Sequence, residues 1–212
     1  MSTSARLSGL RGLIRERVPA ERCELCSAEL SPHPHHEHLF EPTTRQIKCS
    51  CTPCAILFPA EAEKRYRRVS RRLLYLDDFA MNDMQWESLA IPVNMAFLHT
   101  TTNAGGVRAF YPSPAGATES MLSLEAWQQL TDANPVLVDM AADVEALLVY
   151  RRRGGSDFEC FLVPIDACYE LTGRVRKTWK GFDGGEQAWH EIEEFFVNLR
   201  GKCPESHLGA QP

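Results

Sequence analysis

Residues 23–54 read "CELCSAELSPHPHHEHLFEPTTRQIKCSCTPC". Five of the eight cysteines and four of the seven histidines fall here, so the soft-ligand chemistry of the chain is concentrated in one segment. Cys23 and Cys26 are separated by two residues, as are Cys51 and Cys54. Two intervening residues let a tight turn aim both sulfurs at one ion, and two such pairs at this distance form a specific metal-binding pattern. The spacing predicts a single tetrahedral site made by Cys23, Cys26, Cys51 and Cys54. Zinc suits four thiolates; a single iron or an iron–sulfur cluster is the alternative the ligand type leaves open.

Between the two pairs, "HLFEPTTRQIKC" reads as a hairpin turning at Thr43-Thr44. A symmetric turn there sets His38 opposite Cys49, Phe40 opposite Ile47 and His36 opposite Cys51. Side chains alternate faces along a strand, so His36, His38, Cys49 and Cys51 are expected on one face. Pro53 stands where a helix can begin. The expected order is knuckle, hairpin, then a ligand pair at a helix start, a treble-clef or zinc-ribbon-like module. Cys49, His36 and His38 exceed a four-ligand site. They are either further ligands, of a second metal or a cluster, or hydrogen-bonding neighbours of the first metal. His33 and His35 are expected to be solvated.

The chain has 212 residues, net charge −5 and a pI of about 5.8, which argues against a protein that coats nucleic acid. An apolar fraction of 44% supplies enough material for a core. No run approaches the roughly 20 apolar residues of a membrane span. The opening "MSTSARLSGLRGLIRERVPAER" lacks a continuous apolar stretch, so no secretory signal is read and a cytoplasmic location is expected. Thiols stay reduced there, which favours metal over disulfides. Leu7, Leu10, Leu13 and Ile14 follow helical spacing and fit a short packing helix better than a docking one.

Three parts are expected: a Cys/His metal-binding module over residues 1–60, an α+β domain over 75–200 and a flexible tail over 201–212. "VNMAFLHTTT" and "GGVRAFYPS" read as one hairpin, "VEALLVYRRR" and "FECFLVPI" as another. "SPAGATES" reads as a loop. "SLEAWQQLTDANP", "IDACYELTGRVRKTWKG" and "GGEQAWHEIEEFFVNLRGK" carry helical periodicity, with Ser123 and Asp166 as expected caps. The fold class expected is α+β, the small module followed by an antiparallel sheet with helices on one face.

"KRYRRVSRR" holds Lys64, Arg65, Arg67, Arg68, Arg71 and Arg72, a candidate interaction patch. Beside a zinc module it suggests nucleic acid, but the negative overall charge favours a solvated face or an acidic protein partner. Catalysis finds little support. Cys160 and Cys168 look like core residues, no nucleophile lies near His99 or His190 in sequence, and no glycine-rich nucleotide motif is present. The protein is therefore expected not to be an enzyme.

"CELC", "HEHLF", "CSCTPCAILF", "YPSPAGATES" and "VPIDACYELTGRVRKTWKGFDGGEQAWHEIEEFF" together resemble an uncharacterised family whose genes sit beside those of high-affinity [NiFe] hydrogenases. The likeness covers roughly residues 20–200, and its matching positions include the five cysteines of residues 23–54, His36 and His38. It implies a hydrogenase-associated accessory protein with a structural zinc, acting in assembly, docking or electron-transfer support, with a hydrogenase subunit or maturation factor as partner. An iron-binding electron-transfer protein and a zinc-module nucleic-acid regulator are the competing expectations.

Overall fold

The computed structural model describes residues 20–32, 35–60, 65–103, 105–120, 124–155 and 157–204. The expected helix at Leu7–Ile14, His33, Lys64, the cap at Ser123 and the tail beyond residue 204 lie outside the described residues. The rest is α+β, with two antiparallel sheets.

The smaller sheet has the order β2-β1-β3, from β1 (Glu37–Glu41), β2 (Gln46–Ser50) and β3 (Arg67–Arg68). The β1–β2 hairpin pairs His38 with Cys49 and Phe40 with Ile47, the expected register. Arg45 takes the left-handed conformation (φ 56°) that closes the turn. A five-residue helix, α1 (Thr52–Ile56), follows, with Cys51 at its N-cap and a proline in its first turn. Proline needs no amide partner there.

The larger sheet has the order β4-β9-β8-β5-β6-β7. Its strands are β4 (Leu74–Tyr75), β5 (Met95–Thr101), β6 (Gly106–Ser113), β7 (Gly116–Ser120), β8 (Glu145–Arg151) and β9 (Phe158–Pro164). The helices are α2 (Asp83–Ser88), α3 (Leu124–Ala133), α4 (Ile165–Thr178) and α5 (Gly185–Lys202), with a 3-10 turn at Pro135–Leu137.

Helices cover both faces of this sheet, not one. Met95 and Phe97 of β5 join Tyr150, Phe161, Leu171 and Phe196 in a core under α4 and α5. Their alternates Ala96 and Leu98 join Trp86, Leu89, Leu130 and Leu137 in a second core under α2 and α3. The unbroken apolar run "MAFL" carries this information, since a strand buried on both faces loses the polar alternation. The second layer is inconspicuous in sequence because α2 is only six residues long. It is set by a capping box in which Asn82 and Gln85 satisfy each other's backbone amides.

Two local expectations are corrected. "SPAGATES" is not all loop: Gly116–Ser120 pairs with β6 as an edge strand. The Ser113 hydroxyl donates to the Gly116 carbonyl and accepts from the Ala115 amide, and Gly116 turns with φ 115°. The strand is short and polar because it lies at a sheet edge, where apolar alternation is not required. Nor does Asp166 cap α4. The N-cap position is Pro164, and the Asp166 carboxylate reaches out of the first turn to another part of the molecule.

The small sheet does not float free. Phe40 of β1 and Val69 are buried in the core under α4 and α5, and the Phe40 ring packs against Tyr169 and His99. Burying an aromatic side chain of this size contributes about 1.5–3 kcal/mol, so the cysteine-rich segment and the larger sheet share hydrophobic stabilisation.

Candidate metal centre

Each half of the cysteine pattern is shaped by its own backbone. In the first, the Cys23 amide donates to the Ala28 carbonyl, the Ser27 amide to the Cys23 carbonyl, and Ser27 adopts φ 62°. Glu24 ties this knuckle to β2. Its amide donates to the Cys49 carbonyl, its carboxylate accepts from the Cys49 amide at 2.9 Å, and Lys48 pairs with it at 2.9 Å. In the second half, Cys51 and Cys54 project from the opening turn of α1.

The four sulfurs converge. Cys23, Cys26, Cys51 and Cys54 all lie within 4.8 Å of one another, and the Cys26 and Cys51 sulfurs are 3.6 Å apart. Tetrahedral zinc with Zn–S bonds of about 2.3 Å places its sulfurs roughly 3.8 Å apart, so the donors fit a metal ion after small adjustments. Cys23 is buried, which raises its thiol pKa, yet the amides of Cys51, Cys26 and Leu25 point at the sulfur and bring it down to about 6. Hydrogen bonds with the Cys26 and Cys51 thiols push Cys54 up to about 12. Four crowded sulfurs resist ionising together, and a divalent cation removes that conflict.

His36, His38 and Cys49 form a separate group whose donor atoms also lie within 4.8 Å of one another. The shared face expected for His36, His38, Cys49 and Cys51 thus divides: Cys51 belongs to the thiolate cluster and the other three stand apart. Sequence reasoning missed Asp166, whose carboxylate accepts from His38 Nδ1 at 2.6 Å across 128 residues of chain. Only the fold brings these two together. A groove of about 600 Å³ runs beside them, lined by His38, Asp166, Tyr169, Glu170, Arg174 and Lys202 among others. His35 is exposed.

The described arginines of residues 65–72 each hold an acidic side chain. Arg65 pairs with Glu41, Arg68 and Arg71 with Glu37, Arg72 with Glu145 and Arg67 with Asp143. Arg67 and Asp143 are both buried; Arg65 and Arg71 remain largely exposed.

Of the other sequence candidates, Cys160 and Cys168 are core residues whose thiols burial pushes up, Cys160 to about 12. His190 is exposed. His99 is 1% exposed, packs beside the stacked rings of Phe97 and Phe110, and among the described residues neither ring nitrogen has a hydrogen-bond partner. Burial takes its pKa from 6.5 to about 4, against the opposing pull of Asp143 and Glu119 and with the help of Arg45. Its folded pKa therefore lies below its unfolded one. The neutral ring carries full stability above pH 6.5, and that stability drains as pH falls toward 4, by up to about 3 kcal/mol. His99→Phe keeps the ring stack, and a cavity of about 320 Å³ beside it gives room for the larger ring. The variant is expected to show a flatter decline in unfolding free energy between pH 6.5 and 4. Parallel slopes for variant and wild type in denaturant titrations at stepped pH would contradict this.

A family of unknown function, DUF5947, matches residues 22–203, nearly the whole chain, so the protein belongs to that family. No curated protein and no solved structure matches the chain significantly. Among the described residues, no helix is long and apolar enough to cross a membrane.

Proposed function

We propose, for this member of a family without an assigned activity, a non-catalytic accessory protein built on a structural zinc, which docks a protein partner in the cytoplasm. The convergence of Cys23, Cys26, Cys51 and Cys54 supports this reading above all. Four thiolates close the tetrahedron of a zinc ion and leave no position for substrate, which is the mark of a structural site. The order of knuckle, hairpin and helix-borne ligand pair fits a treble-clef module. Leu25, Ile56 and Leu57 stand exposed beside the thiolates and offer apolar contact to a partner. The partner proposed is a [NiFe] hydrogenase subunit or maturation factor.

The test has two parts. Protein purified without air is expected to be colourless and to carry zinc at the four cysteines. Visible absorbance with reversible bleaching would replace this reading with iron and electron transfer. Purified hydrogenase subunits are then expected to bind the immobilised protein and to lose binding on Leu57→Asp. Absence of binding to every subunit and maturation factor would remove the hydrogenase assignment and leave the metal assignment standing.

A further inference from the structure

Outside the thiolate cluster, the two imidazoles of β1 and the chain just before it meet in an unusual way. His36 Nε2 and His38 Nε2 face each other at 3.1 Å. The opposite nitrogens are engaged. His36 Nδ1 lies 3.0 Å from the Ser31 carbonyl oxygen and 3.5 Å from a Glu21 carboxylate oxygen. His38 Nδ1 lies 2.6 Å from the Asp166 carboxylate. A carbonyl or carboxylate oxygen accepts, so each Nδ1 donates, and a neutral ring that donates from Nδ1 presents a lone pair at Nε2. Two ring nitrogens thus converge, and either a shared proton or a metal cation beside them relieves the repulsion of their lone pairs. The Cys49 sulfur, directly across the hairpin from His38, completes a group of three donors within 4.8 Å.

We propose that His36 Nε2, His38 Nε2 and Cys49 Sγ bind a second divalent ion of the zinc class, with three protein ligands and one position open to water or to another donor. Two imidazoles and a thiolate are borderline-soft donors that zinc accepts. On tetrahedral zinc such donors stand about 3.3–3.8 Å apart. The imidazole nitrogens are already near that separation, and no gap in the group has to close by more than about 1 Å. A histidine ligand that donates its other ring N–H to a carboxylate or a backbone carbonyl is held in tautomer and orientation, and its basicity as a ligand rises. His38 has the carboxylate and His36 the carbonyl.

This site extends beyond the structural zinc proposed above and differs from it in kind. The thiolate site is closed, whereas this one has an unfilled position, and His38 and Asp166 both line the groove beside α4 and α5. Asp166 is a positioning residue here: it acts on the ion through His38.

The full chain, reduced, loaded with excess zinc and dialysed, is expected to hold two zinc ions. Cys49→Ser and His38→Ala are each expected to hold one, and Cys23→Ser to lose the other. Asp166→Asn keeps the ligands, and chelator competition is expected to show one of its two ions held about 10–100-fold more weakly. One zinc in the wild type, lost with Cys23→Ser and retained in His38→Ala and Cys49→Ser, overturns the second site and leaves the first. One zinc lost with His38→Ala and retained in Cys23→Ser overturns the thiolate reading instead. A wild type that binds no zinc removes both. Identical chelator competition for Asp166→Asn and wild type overturns the role given to the carboxylate.

Discussion

Cys23→Ser is expected to lose the thiolate-bound metal and to open the surrounding segment to protease, while the six-stranded sheet stays folded. Cys23 is the most buried of the four proposed ligands, and the amides of Cys51, Cys26 and Leu25 are aimed at its sulfur. A serine oxygen is a poor soft ligand and leaves those amides facing a smaller, shorter side chain. The metal contributes folding free energy directly, on the order of 10–16 kcal/mol for structural zinc in small peptides, more than the segment gains from its own apolar residues. Leu30, Ala55 and the β1 residues Leu39 and Phe40 are buried there, but Leu25, Ile56 and Leu57 are not. Cuts are expected between residues 23 and 32 and after residue 51. β1 should resist longest, because Phe40 sits in the core under α4 and α5. The measurement is limited proteolysis with mass spectrometry of the fragments beside a zinc count. A variant as resistant as the wild type over residues 20–60 would show that the metal is not structural.

The second large effect is expected from Arg67→Met. Arg67 and Asp143 pair at 3.1 Å with side chains 8% and 1% exposed. Arg67 also donates to the Thr102 hydroxyl and the Ala60 carbonyl. The Thr102 amide and hydroxyl donate in turn to Asp143. Removing the guanidinium leaves a buried carboxylate with Thr102 as its remaining donor in this network. The expected loss is about 3–5 kcal/mol, or on the order of 10 °C in Tm for a chain of this length. Adding Asp143→Asn removes the stranded charge, and asparagine tolerates the left-handed backbone there (φ 66°). The double variant is therefore expected to be more stable than Arg67→Met alone. Guanidinium melts of the wild type, both single variants and the double variant measure the coupling. A loss below about 1 kcal/mol on Arg67→Met would mean that water, not the protein, satisfies Asp143.

The same residues show where sequence reading succeeds. Local rules placed the β1–β2 register to the residue, because a symmetric turn at Thr43-Thr44 leaves one pairing that keeps Phe40 opposite Ile47. The two long hairpins and the helices α4 and α5 were legible for the same reason: apolar period and turn chemistry are local properties. What escaped depends on distance along the chain. Arg67 lies in a basic run that reads as surface, and its partner Asp143 stands 76 positions later (143 − 67). Asp166 reads as a helix cap and instead holds His38. His99 reads as a polar strand end, yet three aromatic rings enclose it. The layer formed by α2 and α3 escaped because α2 is too short to show a period.

The distance between His38 and Asp166 also bears on the order in which the protein is assembled at the ribosome. Cys54 completes the four-cysteine cluster early, whereas the Asp166 carboxylate that holds His38 is made about 112 residues after Cys54. At about 5–20 residues per second this gap lasts roughly 6–22 s. During that interval the thiolates can take up metal, but Phe40 has no α4 to cover it and His38 has no acceptor for its Nδ1. On the two-ion reading proposed above, the donors of both sites are complete once Cys54 is made, and the hold of Asp166 on His38 is added only later.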